Sequence, residues 1–208
     1  MQAVGAGKTI ESTVLLAPTD VVVEPGRCLV VQGVNGSGKT TLLRLVAGLS
    51  EASIGSVTVD GRTADERDPV LRERVAALIG APAAYRDLTL VDHLTLVDAT
   101  WGRDPATCAR RVDAQLTDLE IDHLGDRFPH ELSSGQGQLF RLALVLFRPG
   151  SLLILDEPEQ RLDTDKRALV AGLLSARRDT GTTVLIACHD PQMTARVADA
   201  VLTLQVAE

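Results

Sequence analysis

Aromatic residues are almost absent: one Trp, one Tyr and three Phe make up 2% of 208 residues, and none lies between Met1 and Gly33. Base stacking on protein rings therefore has almost no platform. With Lys+Arg 21 against Asp+Glu 28, a net charge of -7 and no run of basic residues, direct nucleic-acid binding is excluded. Only three cysteines occur, Cys28, Cys108 and Cys188. Odd in number, far apart and without metal-ligand spacing, they predict buried thiols in a reducing cytosol. No signal peptide is visible, and no apolar run approaches the ~20 residues of a membrane span. Any service to a membrane is expected to go through a partner. Neither an internal repeat nor a low-complexity segment nor a linker interrupts the chain. Its length suits one domain, or one domain with a small insertion, and is enough to bury a sizeable core.

What is present centres on Gly33-Val34-Asn35-Gly36-Ser37-Gly38-Lys39-Thr40, followed by Thr41 and an apolar set at helical spacing: Leu42, Leu43, Leu45, Val46 and Leu49. Upstream, Cys28-Leu29-Val30-Val31-Gln32 is short and β-branched. Strand, glycine loop and helix in that order predict a phosphate-binding loop. A triphosphate needs many donors at short range. Gly33, Gly36 and Gly38 let backbone N–H groups turn inward, and the helix adds the positive end of its dipole. Lys39 is placed to reach the β- and γ-phosphates, and the Thr40 hydroxyl to ligate Mg²⁺.

The rest of the chain reads as an α/β fold. Gly5-Ala6-Gly7-Lys8-Thr9 imitates the end of a second such loop, but lacks the first glycine, a preceding strand and a following helix, so no nucleotide site is assigned there. Val14-Leu15-Leu16 and Val21-Val22-Val23, separated by Ala17-Pro18-Thr19-Asp20, predict short antiparallel strands. Strands follow at 55–61 and 74–79. Helical periodicity takes over at 90–99, 106–119 and 133–147, and strand and helix alternation resumes after Pro149. The expected organisation is a single domain, 1–208. An α/β core of residues 1–82 and 149–208 has a mostly parallel sheet flanked by helices and a small antiparallel N-terminal part. A helical insertion subdomain spans 83–148.

Three further constellations carry chemistry. Leu152-Leu153-Ile154-Leu155-Asp156-Glu157-Pro158 is a buried strand that delivers two carboxylates to its C-terminal end, where open α/β sheets hold ligands. Alternation along a strand assigns them different roles: Asp156 holds Mg²⁺ through its water shell, and Glu157 polarises an attacking water. Leu132-Ser133-Ser134-Gly135-Gln136-Gly137-Gln138 opens an apolar helix, with Ser133 near the cap, so that a helix N-terminus is offered as an anion site. His189 ends the strand Thr183-Val184-Leu185-Ile186-Ala187-Cys188.

These four segments, in this order and at these intervals, resemble the nucleotide-binding domain of an ABC transporter over nearly the whole chain. The Leu132 to Gln136 segment resembles the signature motif of that family, and Leu162-Asp163 the end of its D-loop. The resemblance implies ATP and Mg²⁺ as cofactors and ATP hydrolysis with Glu157 and His189 as catalytic residues. It further implies a head-to-tail dimer, homo- or heteromeric, in which Ser133, Ser134, Gly135 and Gln136 of one subunit meet the nucleotide on the phosphate loop of the other. Gly33, Asn35, Gly36, Ser37, Gly38, Lys39, Thr40 and Thr41 would hold that nucleotide, and Thr40 and Asp156 its metal. A separate transmembrane permease would be the partner, keeping the chain cytoplasmic and peripheral at the inner face of the membrane. Tyr85, within the segment 83–92, is the candidate permease contact. The alternative is a nucleotide-dependent dimerising switch with weak hydrolysis.

The chain also departs from the family pattern. Gly80 stands where a glutamine is usual, which predicts weaker metal affinity and coupling, because glycine offers no side-chain ligand. Ile10 stands near the place of the usual adenine-stacking aromatic, which predicts weaker or less selective base binding. Ser134 replaces a glycine, and Glu159-Gln160-Arg161 replaces small polar residues, which predicts added bulk and charge at the dimer seam.

Overall fold

The computed structural model describes residues 1–80 and 84–206. The expected boundary at 82/83 and the start of the segment 83–92 lie outside the described residues.

Five strands form a parallel sheet in the order β6 (Val75–Leu78), β7 (Leu152–Asp156), β8 (Thr183–Ala187), β3 (Cys28–Gln32) and β9 (Ala200–Thr203). The central strands are apolar on both faces because both faces are covered. Leu29, Val31, Leu152, Ile154, Leu185 and Ala187 share one core with helix α1 (Lys39–Val46). The alternate residues Cys28, Val30, Leu153, Leu155, Val184 and Ile186 join the opposite core. That second core holds α3 (Leu90–Thr100), α4 (Cys108–Asp118), α5 (Ser134–Leu146), α6 (Thr164–Asp179) and α7 (Pro191–Val197). The helix that follows the glycine loop and the helix that follows Ser133 thus lie on opposite faces of one sheet.

The N-terminal part differs from expectation. Rather than two short strands, Thr13–Val22 is one strand, β2, and its hairpin partner is β1 (Gln2–Ile10), which its Gly, Ala and Lys content had hidden. Pro18 is tolerated because β2 is an edge strand and the pairing shifts register there, from Ala6 opposite Thr19 to Lys8 opposite Leu16. The Gly5 to Thr9 stretch is a strand, not a loop leading to a helix, and Gly7 packs against Ile54 and Leu16. β4 (Ile54–Val59) and β5 (Arg62–Thr63) complete an antiparallel sheet in the order β2-β1-β4-β5, and α2 (Pro69–Arg74), which periodicity did not reveal, precedes β6. Helix 106–119 begins with a 3₁₀ turn at Pro105–Thr107, where Asp104 caps by accepting the Ala106 N–H at 3.0 Å.

Among the described residues, no helix is long and apolar enough to cross a membrane.

Candidate nucleotide site

The glycine loop joins the C-terminal end of β3 to α1. Gly38 is the N-cap of α1 at φ 93°, and no side chain caps that helix end. A Cβ on Gly38 would stand 2.6 Å from the Leu15 carbonyl oxygen in β2, so both the left-handed backbone and the close approach require glycine. The first N–H groups of α1 therefore face outward without an intrahelical acceptor. Ser37 is buried, and its Oγ has no hydrogen-bond partner among the described residues. Lys39, 6% exposed, folds back so that Nζ donates to the Gly33 oxygen at 2.8 Å and the Val34 oxygen at 3.2 Å. Uncapped amides, an orphaned hydroxyl and a lysine amine around one glycine loop fit a phosphate group. Asn35, Gly36 and Thr40 are exposed at the loop, and Thr41 is half-buried.

Thr40 Oγ1 donates to Asp156 Oδ2 at 2.7 Å, which brings the two expected metal ligands together from α1 and the end of β7. Burial pushes the Asp156 carboxyl up, the Thr40 hydrogen bond opposes that, and the Glu157 charge adds to it. A bound cation would relieve this. Among the described residues no group of three or more His, Cys, Asp or Glu side chains could hold a metal. One carboxylate and one hydroxyl fit Mg²⁺, which takes one or two protein oxygens and completes its shell with phosphate and water.

Glu157 and Asp156 do diverge, but not by strand alternation. Glu157 has left β7 and sits at φ 49°, with its N–H donating to the Ala187 oxygen at 2.9 Å. Its Oε1 lies 3.2 Å from His189 Nε2, while the Gln160 amide reaches Oε2. Both oxygens of the expected catalytic carboxylate are thus engaged. His189, on the turn between β8 and α7, is partly exposed.

At the start of α5, Ser133 is the N-cap. Its hydroxyl accepts the Gln136 N–H at 3.3 Å, and Gln136 Oε1 accepts the Ser133 N–H at 2.9 Å, a reciprocal capping box. Ser134 is exposed, and Gly135 comes close to the Arg161 carbonyl oxygen, 3.0 Å from where its Cβ would be. The structure therefore sets this segment beside the 157–162 turn.

Glu159, expected with its two neighbours to add bulk and charge at the dimer seam, is 6% exposed in the chain and accepts the His189 N–H on Oε1 at 2.6 Å, whereas Gln160 and Arg161 are exposed. Two residues received no role of their own from the sequence. Gln138 is buried on α5 with Nε2 donating to the Pro158 oxygen at 3.2 Å, and His93 Nε2 accepts the Tyr85 N–H at 2.9 Å. A glutamine inside an apolar helical stripe was the available signal for the first. Nothing local announces the second. Gly80 is exposed at φ 74° with nothing within 4 Å of a Cβ position, and Ile10 is exposed at the end of β1.

The family model for ABC transporters matches residues 16–160. The sulfate/thiosulfate import ATP-binding protein CysA of Caulobacter vibrioides is 34% identical over 194 residues, which cover 91% of this chain and 57% of that protein. The cytochrome c biogenesis ATP-binding export protein CcmA of Xanthomonas oryzae pv. oryzae is also 34% identical over 194 residues, covering 93% of this chain and 88% of that protein. The chain thus spans little more than half of the first relative and most of the second. A solved ATP-binding cassette, a dimer in a post-hydrolysis state bound to ADP and Pi, has the same fold, with a TM-score of 0.88 at 20% identity over 100% of this chain and 96% of that one. With a glycine loop, an Asp-Glu strand end and a capped Ser133 helix in one P-loop core, the chain belongs to the ABC transporter family as a nucleotide-binding domain.

Proposed function

We propose that the chain binds and hydrolyses MgATP at the interface of a head-to-tail dimer and thereby drives a separate membrane permease. The observation that carries this reading is convergence. Lys39 and Thr40 after β3, Asp156 at the end of β7 with Glu157 just beyond it, and His189 after β8 meet at the C-terminal edge of the parallel sheet, the ligand edge of open α/β folds.

The backbone amides at 36–41 and Lys39 bind and orient the triphosphate. Thr40 and Asp156 hold Mg²⁺, which when bound neutralises charge on the phosphate oxygens. Glu157 orients a water and takes its proton as the water oxygen bonds to the γ-phosphorus. The bond from that phosphorus to the β-phosphate oxygen breaks, leaving ADP and phosphate. His189, in contact with Glu157 Oε1, helps hold that water and the γ-phosphate. The Ser133 to Gln136 segment lies across the sheet from α1, which supports completion of each site by the same segment of a second copy or a homologous partner. Residues 83–148 are proposed as a helical subdomain. Tyr85, 63% exposed beside Leu96 and Val97, offers a contact for the permease, which would hold the chain at the inner face of the membrane.

Gly80 favours a second reading, a dimerising switch with weak hydrolysis, because no side chain enters the site from that position. The steady-state ATPase rate with Mg²⁺, followed against protein concentration with Glu157→Gln as control, separates the two. A rate per subunit that climbs with concentration and falls by about 10²–10⁴-fold in the variant supports the enzyme. Turnover no higher than the variant's supports the switch.

A further inference from the structure

We propose that Glu159 is a positioning residue that holds His189 against Glu157; the proposal rests on the hydrolytic reading above. Glu159 lies in the tight turn after β7, where the Gln160 N–H donates to the Glu157 oxygen at 3.1 Å and the Leu162 N–H to the Glu159 oxygen at 3.3 Å. Its carboxylate does not serve that turn. Oε1 instead takes the backbone N–H of His189, 30 residues away, at 2.6 Å.

The second oxygen, Oε2, is buried and has no hydrogen-bond partner among the described residues. A carboxylate buried with half its acceptors unused weakens a fold, and a leucine of similar length would avoid that cost. The oxygen acceptor is thus kept for what Oε1 does, and at 2.6 Å that bond is short.

The held residue needs such a support. The His189 imidazole is 46% exposed, and among the described residues its polar contact is Glu157 Oε1. The position of the ring therefore follows from its backbone. On the C-terminal side that backbone is fixed by Asp190, which caps α7 by accepting the Met193 N–H at 2.7 Å and pairs with Arg167 at 2.9 Å. On the N-terminal side the Cys188 N–H donates to the Val31 oxygen at 3.3 Å, and Glu159 holds the His189 N–H itself. The turn carrying Glu159 is itself tied to α5, through Gln138 Nε2 to the Pro158 oxygen. One short segment thus connects the helix that begins at Ser133 with both members of the Glu157–His189 pair.

The test uses the full chain with Glu159→Gln, which keeps an acceptor for the His189 N–H, and Glu159→Leu, which removes it. Each is made alone and with His189→Ala. Two quantities are read: kcat and KM for MgATP, and the amide proton shift of His189 in a ¹H–¹⁵N spectrum. Glu159→Leu is expected to lower kcat by about ten- to a hundredfold with KM little changed. Glu159→Gln restores most of the rate, and in the His189→Ala background the Glu159 variants differ little from one another. The His189 amide proton lies downfield in the wild type and in Glu159→Gln and moves upfield in Glu159→Leu.

The proposal is overturned by an unchanged kcat or an unchanged amide shift in Glu159→Leu, by a Gln variant as slow as the Leu variant, or by an undiminished effect without His189. A wild-type chain with no Glu157-dependent turnover would overturn the hydrolytic reading instead. The amide shift would then still uphold or overturn the hold of Glu159 on His189.

Discussion

Thr40 donates its hydroxyl proton to Asp156 across 116 residues of chain, at 2.7 Å. The contact joins the first turn of α1 to the end of β7. It brings the glycine loop and the acidic strand end together.

Replacing Thr40 with valine keeps the shape and removes that oxygen. Because Thr40 and Asp156 are the proposed metal ligands, Thr40→Val is expected to weaken Mg²⁺-dependent nucleotide binding by roughly ten- to a hundredfold. Metal-free binding should stay close to the wild type. Titration of a fluorescent ATP analogue with and without Mg²⁺ measures both, and an equal loss in the two conditions would count against a metal role.

Gly38 and Gly36 both have positive φ, at 93° and 84°, yet only at Gly38 would a Cβ meet backbone, 2.6 Å from the Leu15 oxygen. Left-handed strain alone is worth roughly 1–2 kcal/mol, which in a chain of this size lowers Tm by about 2–8 °C. Gly36→Ala should show about that fall, and Gly38→Ala a larger one. Thermal unfolding of the two variants side by side is the measurement, and equal losses would mean that β2 yields.

Burial pushes the thiols of Cys28 and Cys188 up to about 12, with the Asp199 charge adding to the first and the Glu159 charge to the second. Unfolded, each ionises near the ordinary thiol value of 9.0. Above that pH the unfolded chain loses protons that the folded chain keeps, so stability falls as pH rises from about 9 toward about 12. The slope approaches about 1.4 kcal/mol per pH unit per thiol. Below the unfolded value the two thiols contribute no slope. Urea unfolding at a series of alkaline pH values, compared with Cys28→Ala/Cys188→Ala, should show a flatter alkaline limb in the double variant.

Tyr85 is 63% exposed, while its backbone N–H is tied to the buried His93. Tyr85→Ala removes the ring and leaves that tie intact. Basal ATPase is expected to persist, and stimulation by the reconstituted membrane subunit to fall. Equal loss of both activities would argue for a packing role.

Local chemistry made much of the site legible. The glycine loop, the strand ending in Asp156 and Glu157, and the cap at Ser133 each rest on residue types whose geometry is set within a few positions, so spacing alone located them. β1 was not legible, because Gly5, Ala6, Gly7 and Lys8 carry little strand preference and become a strand only through pairing with β2 and β4. The burial of Glu159 was not legible for a related reason. A glutamate near a turn is ordinarily solvated, and only the approach of the β8–α7 turn gives its carboxylate a buried donor.

The sequence by itself determined the glycine loop, the alternation of strands and helices, and the identity of the groups proposed to bind phosphate, hold a metal and activate water. Those properties depend on side-chain chemistry and short-range backbone preference. Tertiary structure alone decided which groups meet: Thr40 with Asp156, Glu157 with His189, and Glu159 with the His189 backbone. It also decided that α1 and α5 stand on opposite faces of the parallel sheet. Contacts between residues distant along the chain follow from strand order and sheet packing, and neither is encoded in any local window of sequence.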